Sequence, residues 1–195
     1  MFPKPLYYVR DVKDHLLNKE RILERMSQFG EPFDDGYDDD PSGLSHISRS
    51  DWEIRIGETE RIPQTDWFQY AFSERDRSEY IKFCKKEFKA LAISTWESWY
   101  NQYDAHSGAL HNWHNHHTED APNDYANVYY VELNDQSLRT ILTHPTTGKT
   151  FHPEIKEGQI LIFDAKILHM SPPNHTDTRK SSIAFNITLK GSVRK

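Results

Sequence analysis

The chain has one cysteine, Cys84, among 195 residues. That excludes an internal disulfide framework and is consistent with a reducing compartment. Long hydrophobic runs are missing too. No apolar stretch approaches the length of a membrane span, and Met1 to Arg10 lacks the apolar core of a signal peptide. The formal net charge is only −6, with both signs spread along the chain. This balance argues against general nucleic-acid or anionic-membrane binding. Internal repeats and low-complexity tracts are also absent. Aromatic residues, in contrast, are plentiful, with 5 Trp, 10 Tyr and 10 Phe, where a disordered chain would be poor in them. The expectation is a soluble, cytoplasmic, globular protein. Its length suits a single domain over 1–195, with an N-terminal arm and helices over 1–90 and a β core over 91–195.

Along the chain, Leu6-Tyr7-Tyr8-Val9 reads as a short strand. Asp11 or Asp14 can cap a helix running to about Ser27, with Val12, Leu16, Leu23 and Met26 near helical spacing and Gly30 as its stop. Glu31 to Gly43 holds five Asp, two Pro and two Gly and reads as a solvated loop; its spacing does not match a calcium-binding EF-hand. Glu53-Ile54-Arg55-Ile56 alternates like a strand. Ser73-Glu74-Arg75-Asp76 resembles a capping box, followed by a helix with Tyr80, Phe83, Cys84 and Phe88 on one apolar stripe. Cys84 on that stripe reads as core packing. From Ile93 onward, six stretches read as strands: Ile93–Tyr103, Leu110–His117, Tyr125–Leu133, Arg139–Thr143, Gln159–Phe163 and Ser181–Leu189. Gly, Pro, Asn and Asp turns separate them. The pattern predicts a mainly β fold, an antiparallel sandwich or barrel, with two helices packed outside one sheet.

The histidines carry the chemistry. Four of eleven fall within His111-Asn112-Trp113-His114-Asn115-His116-His117. His114 and His116 sit at i and i+2, and in an extended strand such a pair shares a face. His111 and His117 have the opposite parity and are expected to face away. A third ligand must come from a distant segment. His169, after the glycine-led apolar strand Gln159–Phe163, is the candidate. The bland reading is a polar loop that picks up metal adventitiously. His106, His144, His152 and His175 stand in turn-like contexts and receive no role.

The order Trp99-Tyr100-Asn101-Gln102-Tyr103, His114-Asn115-His116, Ala126 to Val131, Gly158 to Phe163, His169 with Pro173-Asn174, and Ser182-Ile183-Ala184-Phe185-Asn186 resembles the iron(II)/2-oxoglutarate-dependent oxygenases of the prolyl-hydroxylase-like superfamily. The likeness covers the C-terminal half well and the N-terminal part weakly. It implies a double-stranded β-helix, or jelly roll, with supporting helices. It also implies iron(II) at the histidines, with 2-oxoglutarate and dioxygen as cosubstrates, hydroxylation of a further substrate, and release of succinate and carbon dioxide.

Two departures stand out. The superfamily usually has a carboxylate two residues after the first histidine, where this chain has His116; Glu119 or Asp120 are the substitutes if His116 points away. The far carboxylate of 2-oxoglutarate normally meets a basic residue on the last strand, and here Arg179 and Lys180 are adjacent. A guanidinium suits a carboxylate better. Strand register favours Lys180, with Ile183, Phe185 and Ile187 facing apolar packing and Lys180, Ser182, Ala184 and Asn186 facing the cavity. Lys180, with Ser182 as its neighbour, is placed first and Arg179 second, against the plain reading of both as a solvated turn. Asn101 and Tyr103 are further candidates for the cosubstrate, ahead of Tyr129 and Tyr130. Trp113 either walls the site or anchors the outer face. The competing readings are a cupin-type three-histidine metalloenzyme without 2-oxoglutarate and a non-enzymatic jelly-roll binding protein. The prime substrate is not legible.

Overall fold

The computed structural model describes residues 5–28, 47–51, 65–119 and 122–191. The acidic loop Glu31–Gly43, its neighbour Gly30 and the expected strand Glu53–Ile56 lie outside these residues. Among those described are three α-helices, α1 (His15–Ser27), α2 (Trp67–Ala71) and α3 (Glu74–Phe88), and a short 3-10 turn over Gln136–Leu138. The strands are β1 (Tyr7–Asp11), β2 (Arg49–Ser50), β3 (Ala92–Tyr103), β4 (His111–His114) and β5 (Tyr125–Leu133), then β6 (Ile141–Thr143), β7 (Thr150–Phe151), β8 (Gln159–Asp164), β9 (His169–Ser171) and β10 (Lys180–Lys190). They form two antiparallel sheets: a six-stranded sheet in the order β1-β8-β5-β10-β3-β2 and a four-stranded sheet in the order β4-β9-β6-β7. The architecture is β-dominant, with the helices on one face of the larger sheet.

Side-chain alternation builds two cores from the same strands. Ile160 and Ile162 of β8, Tyr129 and Val131 of β5, and Ile183, Phe185 and Ile187 of β10 pack against Ile22, Met26, Phe68, Phe72, Tyr80 and Cys84 from the helical layer. Leu161 and Phe163 of β8 and Ala126 and Tyr130 of β5 face the other way, toward Leu138, Leu142 and Ile167. A period of two residues in a strand buried on both sides gives this division, and it explains why Ile160 to Phe163 of β8 are apolar without interruption.

The helices depart from expectation in instructive ways. In α3, Ser73 Oγ accepts from the Asp76 backbone N–H at 3.1 Å, as a capping residue should. The Asp76 carboxylate also accepts from the backbone N–H of Lys13 at 2.9 Å, so the cap ties α3 to the start of α1. Cys84 is buried, and burial pushes its thiol up to about 12. In α1 the inward stripe is His15, Ile22 and Met26, continuing from Val12 just before the helix, while Leu16 and Leu17 are 81% and 83% exposed. The expected stripe was one residue out at Leu16. The reason is polar: His15 Nδ1 meets the Tyr129 hydroxyl at 2.7 Å and Nε2 meets Glu157 Oε1 at 3.2 Å, fixing the helix rotation. Helix α2, capped by Asp66 onto the Gln69 N–H at 3.0 Å, is five residues long, too short for a periodic signal. The expected strand Leu110–His117 is real only over His111–His114. Among the described residues no helix is long and apolar enough to cross a membrane.

Candidate metal centre and adjoining cavity

Strands β4 and β9 run antiparallel with His114 directly opposite His169. Cross-strand neighbours on one face lie close enough for side-chain contact, and these imidazole centroids are 4.1 Å apart. His116 lies two residues beyond the end of β4. Its backbone N–H donates to Ala165 O at 2.9 Å, and its carbonyl accepts from Asn123 Nδ2 at 2.9 Å. Those bonds hold the chain where the strand has stopped, and the His116 ring comes within 5.0 Å of both other imidazoles, centroid to centroid. One ligand nitrogen from each of His114, His116 and His169 lies within 4.8 Å of the others. Glu119 is exposed and outside this group, and Asp120 lies outside the described residues.

Backbone carbonyls set the tautomers. His114 Nδ1 is 2.6 Å from Asn112 O, and His169 Nδ1 is 3.0 Å from Ile167 O. A carbonyl only accepts, so each Nδ1 carries the proton and each Nε2 keeps its lone pair. Burial holds His114 below, and His169 well below, the ordinary imidazole range. The neutral ring is the form that binds a metal.

The parity expected for His111 is overturned. Between its pairings, β4 takes three steps, from His111 to His114, against two on β9, from Ser171 to His169. This β-bulge reverses the alternation, and His111 turns to the same side as His114. Their rings stack with centroids 3.9 Å apart and planes 20° apart.

A narrow cavity of about 30 Å³ runs from these histidines into the space between the sheets. Asn101, Tyr103, Thr140, Ser171, Lys180 and Ser182 are its other polar lining residues, with Trp99, Val128, Met170 and Ala184 as apolar wall. Lys180 is 2% exposed. Its Nζ donates to Ser171 Oγ at 2.6 Å and lies 4.8 Å from the centre of the Tyr103 ring. No carboxylate lines this cavity among the described residues. Without a counter-ion, burial pushes the Lys180 ammonium down to about 7. An anion bound beside it would restore the charge.

The other expected residues are placed as follows. Arg179 lies on the outer side, its Nε donating to Glu132 Oε2 at 2.9 Å. The Asn101 amide meets Ser50 Oγ at 2.9 Å at the cavity wall. Tyr129 faces the helices, and the Tyr130 hydroxyl donates to Thr140 Oγ1 at 2.6 Å. Trp113 is 40% exposed and does not line the cavity. Asn186 is buried beyond Ala184, near Glu97. Sequence reasoning missed His111, Trp99, Thr140 and Ser171. Ser171 was within reach, since it stands two residues after His169 and so shares its face. No local residue pattern marks the bulge that admits His111.

No protein-family model and no curated protein matches this sequence. Solved structures do share its fold. AviO1 from Streptomyces viridochromogenes is 11% identical with a TM-score of 0.62, over 95% of this chain and 90% of that one. The viral collagen prolyl hydroxylase of Paramecium Bursaria Chlorella virus-1, solved with 2-oxoglutarate, is 12% identical with a TM-score of 0.58, over 94% of this chain and 96% of that one. A prolyl hydroxylase from Trichoplax adhaerens, solved with a peptide of hypoxia inducible factor, is 13% identical with a TM-score of 0.61, over 93% and 83%. At these identities the likeness is one of fold, and function has to be argued from the site.

Proposed function

We propose that this protein is an iron(II)- and 2-oxoglutarate-dependent dioxygenase that hydroxylates a substrate and releases succinate and carbon dioxide. The observation that carries this reading is the cavity itself: three imidazoles at one end, and in the same space a buried lysine with no carboxylate beside it among the described residues. Imidazole nitrogen is a good donor for iron(II), and three such ligands on one face leave positions open. His114, His116 and His169 would hold the ion. Bound iron(II), with 2-oxoglutarate and dioxygen, supplies the oxidative chemistry.

The chain's own part is placement. By taking up Nδ1, the carbonyls of Asn112 and Ile167 leave Nε2 of His114 and His169 as the nitrogens that would hold the metal. Lys180 binds the far carboxylate of 2-oxoglutarate, with Ser182, Tyr103 and Asn101 beside it. Arg179, the alternative for that task, is engaged by Glu132 on the outer side. Trp99, Val128 and Met170 keep water from the cavity. On this reading the two sheets are the halves of a double-stranded β-helix. The chain is one domain over 1–195, with 1–90 as arm and supporting helices and 91–195 as the core, and it works in the cytoplasm.

A three-histidine metalloenzyme that ignores 2-oxoglutarate is the competing reading. That no carboxylate joins the histidine cluster among the described residues favours it; that none lines the cavity beside Lys180 among them opposes it. Replacing His114 or His169 by Ala should abolish iron-dependent succinate formation while the far-ultraviolet circular dichroism stays unchanged. Turnover persisting in either variant contradicts the assignment.

A further inference from the structure

We infer that His111 is a binding residue for the cosubstrate: its ring N–H donates a hydrogen bond to an oxygen of 2-oxoglutarate held between the three histidines and Lys180. This rests on the function proposed above. The bulge in β4 turns the ring into the cavity, where it stacks on His114 at 3.9 Å. The residue opposite His111 on β9 is Ser171, whose hydroxyl accepts from Lys180 Nζ at 2.6 Å. His111 therefore stands on the wall that joins the metal end of the cavity to its cationic end. A dicarboxylate stretched between those ends passes along this ring.

The polar bonding of His111 fits that use. His114 and His169 each give a ring nitrogen to a backbone carbonyl, whereas neither ring nitrogen of His111 has a hydrogen-bond partner among the described residues. A neutral imidazole always carries one N–H, so one donor is available to a ligand. His111 is also not a fourth metal ligand, because it falls outside the group whose nitrogens lie within 4.8 Å of one another.

The test compares wild type, His111→Phe and His111→Gln, each loaded with manganese(II) as a redox-inert stand-in and titrated anaerobically with 2-oxoglutarate in a calorimeter. Phe keeps a flat ring on His114 but removes the donor; Gln keeps an N–H. Loss of one hydrogen bond to a charged oxygen should weaken 2-oxoglutarate about tenfold in His111→Phe and less than about threefold in His111→Gln. Manganese(II) affinity should stay within about twofold in both, which also shows that the site is folded. Equal 2-oxoglutarate affinity in His111→Phe and wild type would overturn the inference, as would an equal loss in both variants or a tenfold loss of manganese(II) affinity. If metal-loaded wild type binds no 2-oxoglutarate at all, the functional reading itself fails, which is a different result from an unchanged His111→Phe.

Discussion

The two faces of β10 are built for opposite purposes, one for apolar packing and one for a polar cavity. Toward the helices, Phe185 meets the rings of Phe68, Phe72 and Tyr80 at centroid distances of 5.2, 5.8 and 5.5 Å. Toward the four-stranded sheet the same strand presents Lys180, Ser182 and Ala184 to the cavity. Hydrocarbon packed on hydrocarbon is complete as it stands. An ammonium buried against a serine and an aromatic ring has no counter-charge in its cavity among the described residues. One face of the strand holds the fold together, and the other, on the function proposed above, keeps a space for a ligand. Small side chains at 182 and 184 keep that space open.

The sharpest way to break the apolar half is Phe185→Ala, which should cost about 3–5 kcal/mol in denaturant unfolding, as large truncations in a packed core do. The metal affinity of the folded protein should not change. The polar half breaks at His169→Ala. Partners beyond a ligand are worth about 10–100-fold in metal affinity, so loss of a ligand should exceed about 100-fold. Equilibrium competition with a chelator measures it, and the melting temperature of the metal-free protein should barely move.

Lys180→Met separates the two demands placed on one strand. It should weaken 2-oxoglutarate binding by more than the His111 substitution does, yet raise the melting temperature of the ligand-free protein at neutral pH, because an uncompensated buried charge is removed. The pH profile gives the same information in finer detail. Lys180 titrates at about 7 in the folded protein against an ordinary 10.5. Between those values the unfolded chain holds a proton that the folded chain does not, so stability should rise with pH across this window, and Lys180→Met should flatten that rise. His111, His114 and His169, held neutral by burial, act on the acid side: stability should fall as pH drops through the ordinary histidine range. The smallest effect belongs to Arg179→Ala. Its pair with Glu132 is partly exposed, so the loss should stay within about 1 kcal/mol. Cosubstrate binding should be untouched.

Much of this was legible in the sequence because it follows from periods of two and of 3.6. The alternation of β10 separates Ile183, Phe185 and Ile187 from Lys180, Ser182 and Ala184, and the structure keeps that division. The stripe of α3 from Tyr80 to Phe88, with Cys84 in the core, follows in the same way. The convergence of His169 on His114 was inferred from order along the chain, and cross-strand pairing accomplishes it. The failures lie where a local rule is overridden. A bulge inverts the parity of His111, and one extra residue in a strand leaves no compositional mark. His15 competes with Leu16 for the interior of α1 and wins through Tyr129 and Glu157, partners more than a hundred residues away. His116 reaches the cluster after its strand has ended, held by Ala165 and Asn123 rather than by a ladder.

The central claim is that the three histidines and Lys180 form one site for iron and 2-oxoglutarate. The most direct measurement is an anaerobic visible spectrum of metal-free protein, first with iron(II) and then with 2-oxoglutarate. The account predicts a weak charge-transfer band that needs both additions and is missing from His169→Ala. Tightly bound iron(II) with no new band at saturating 2-oxoglutarate would contradict it.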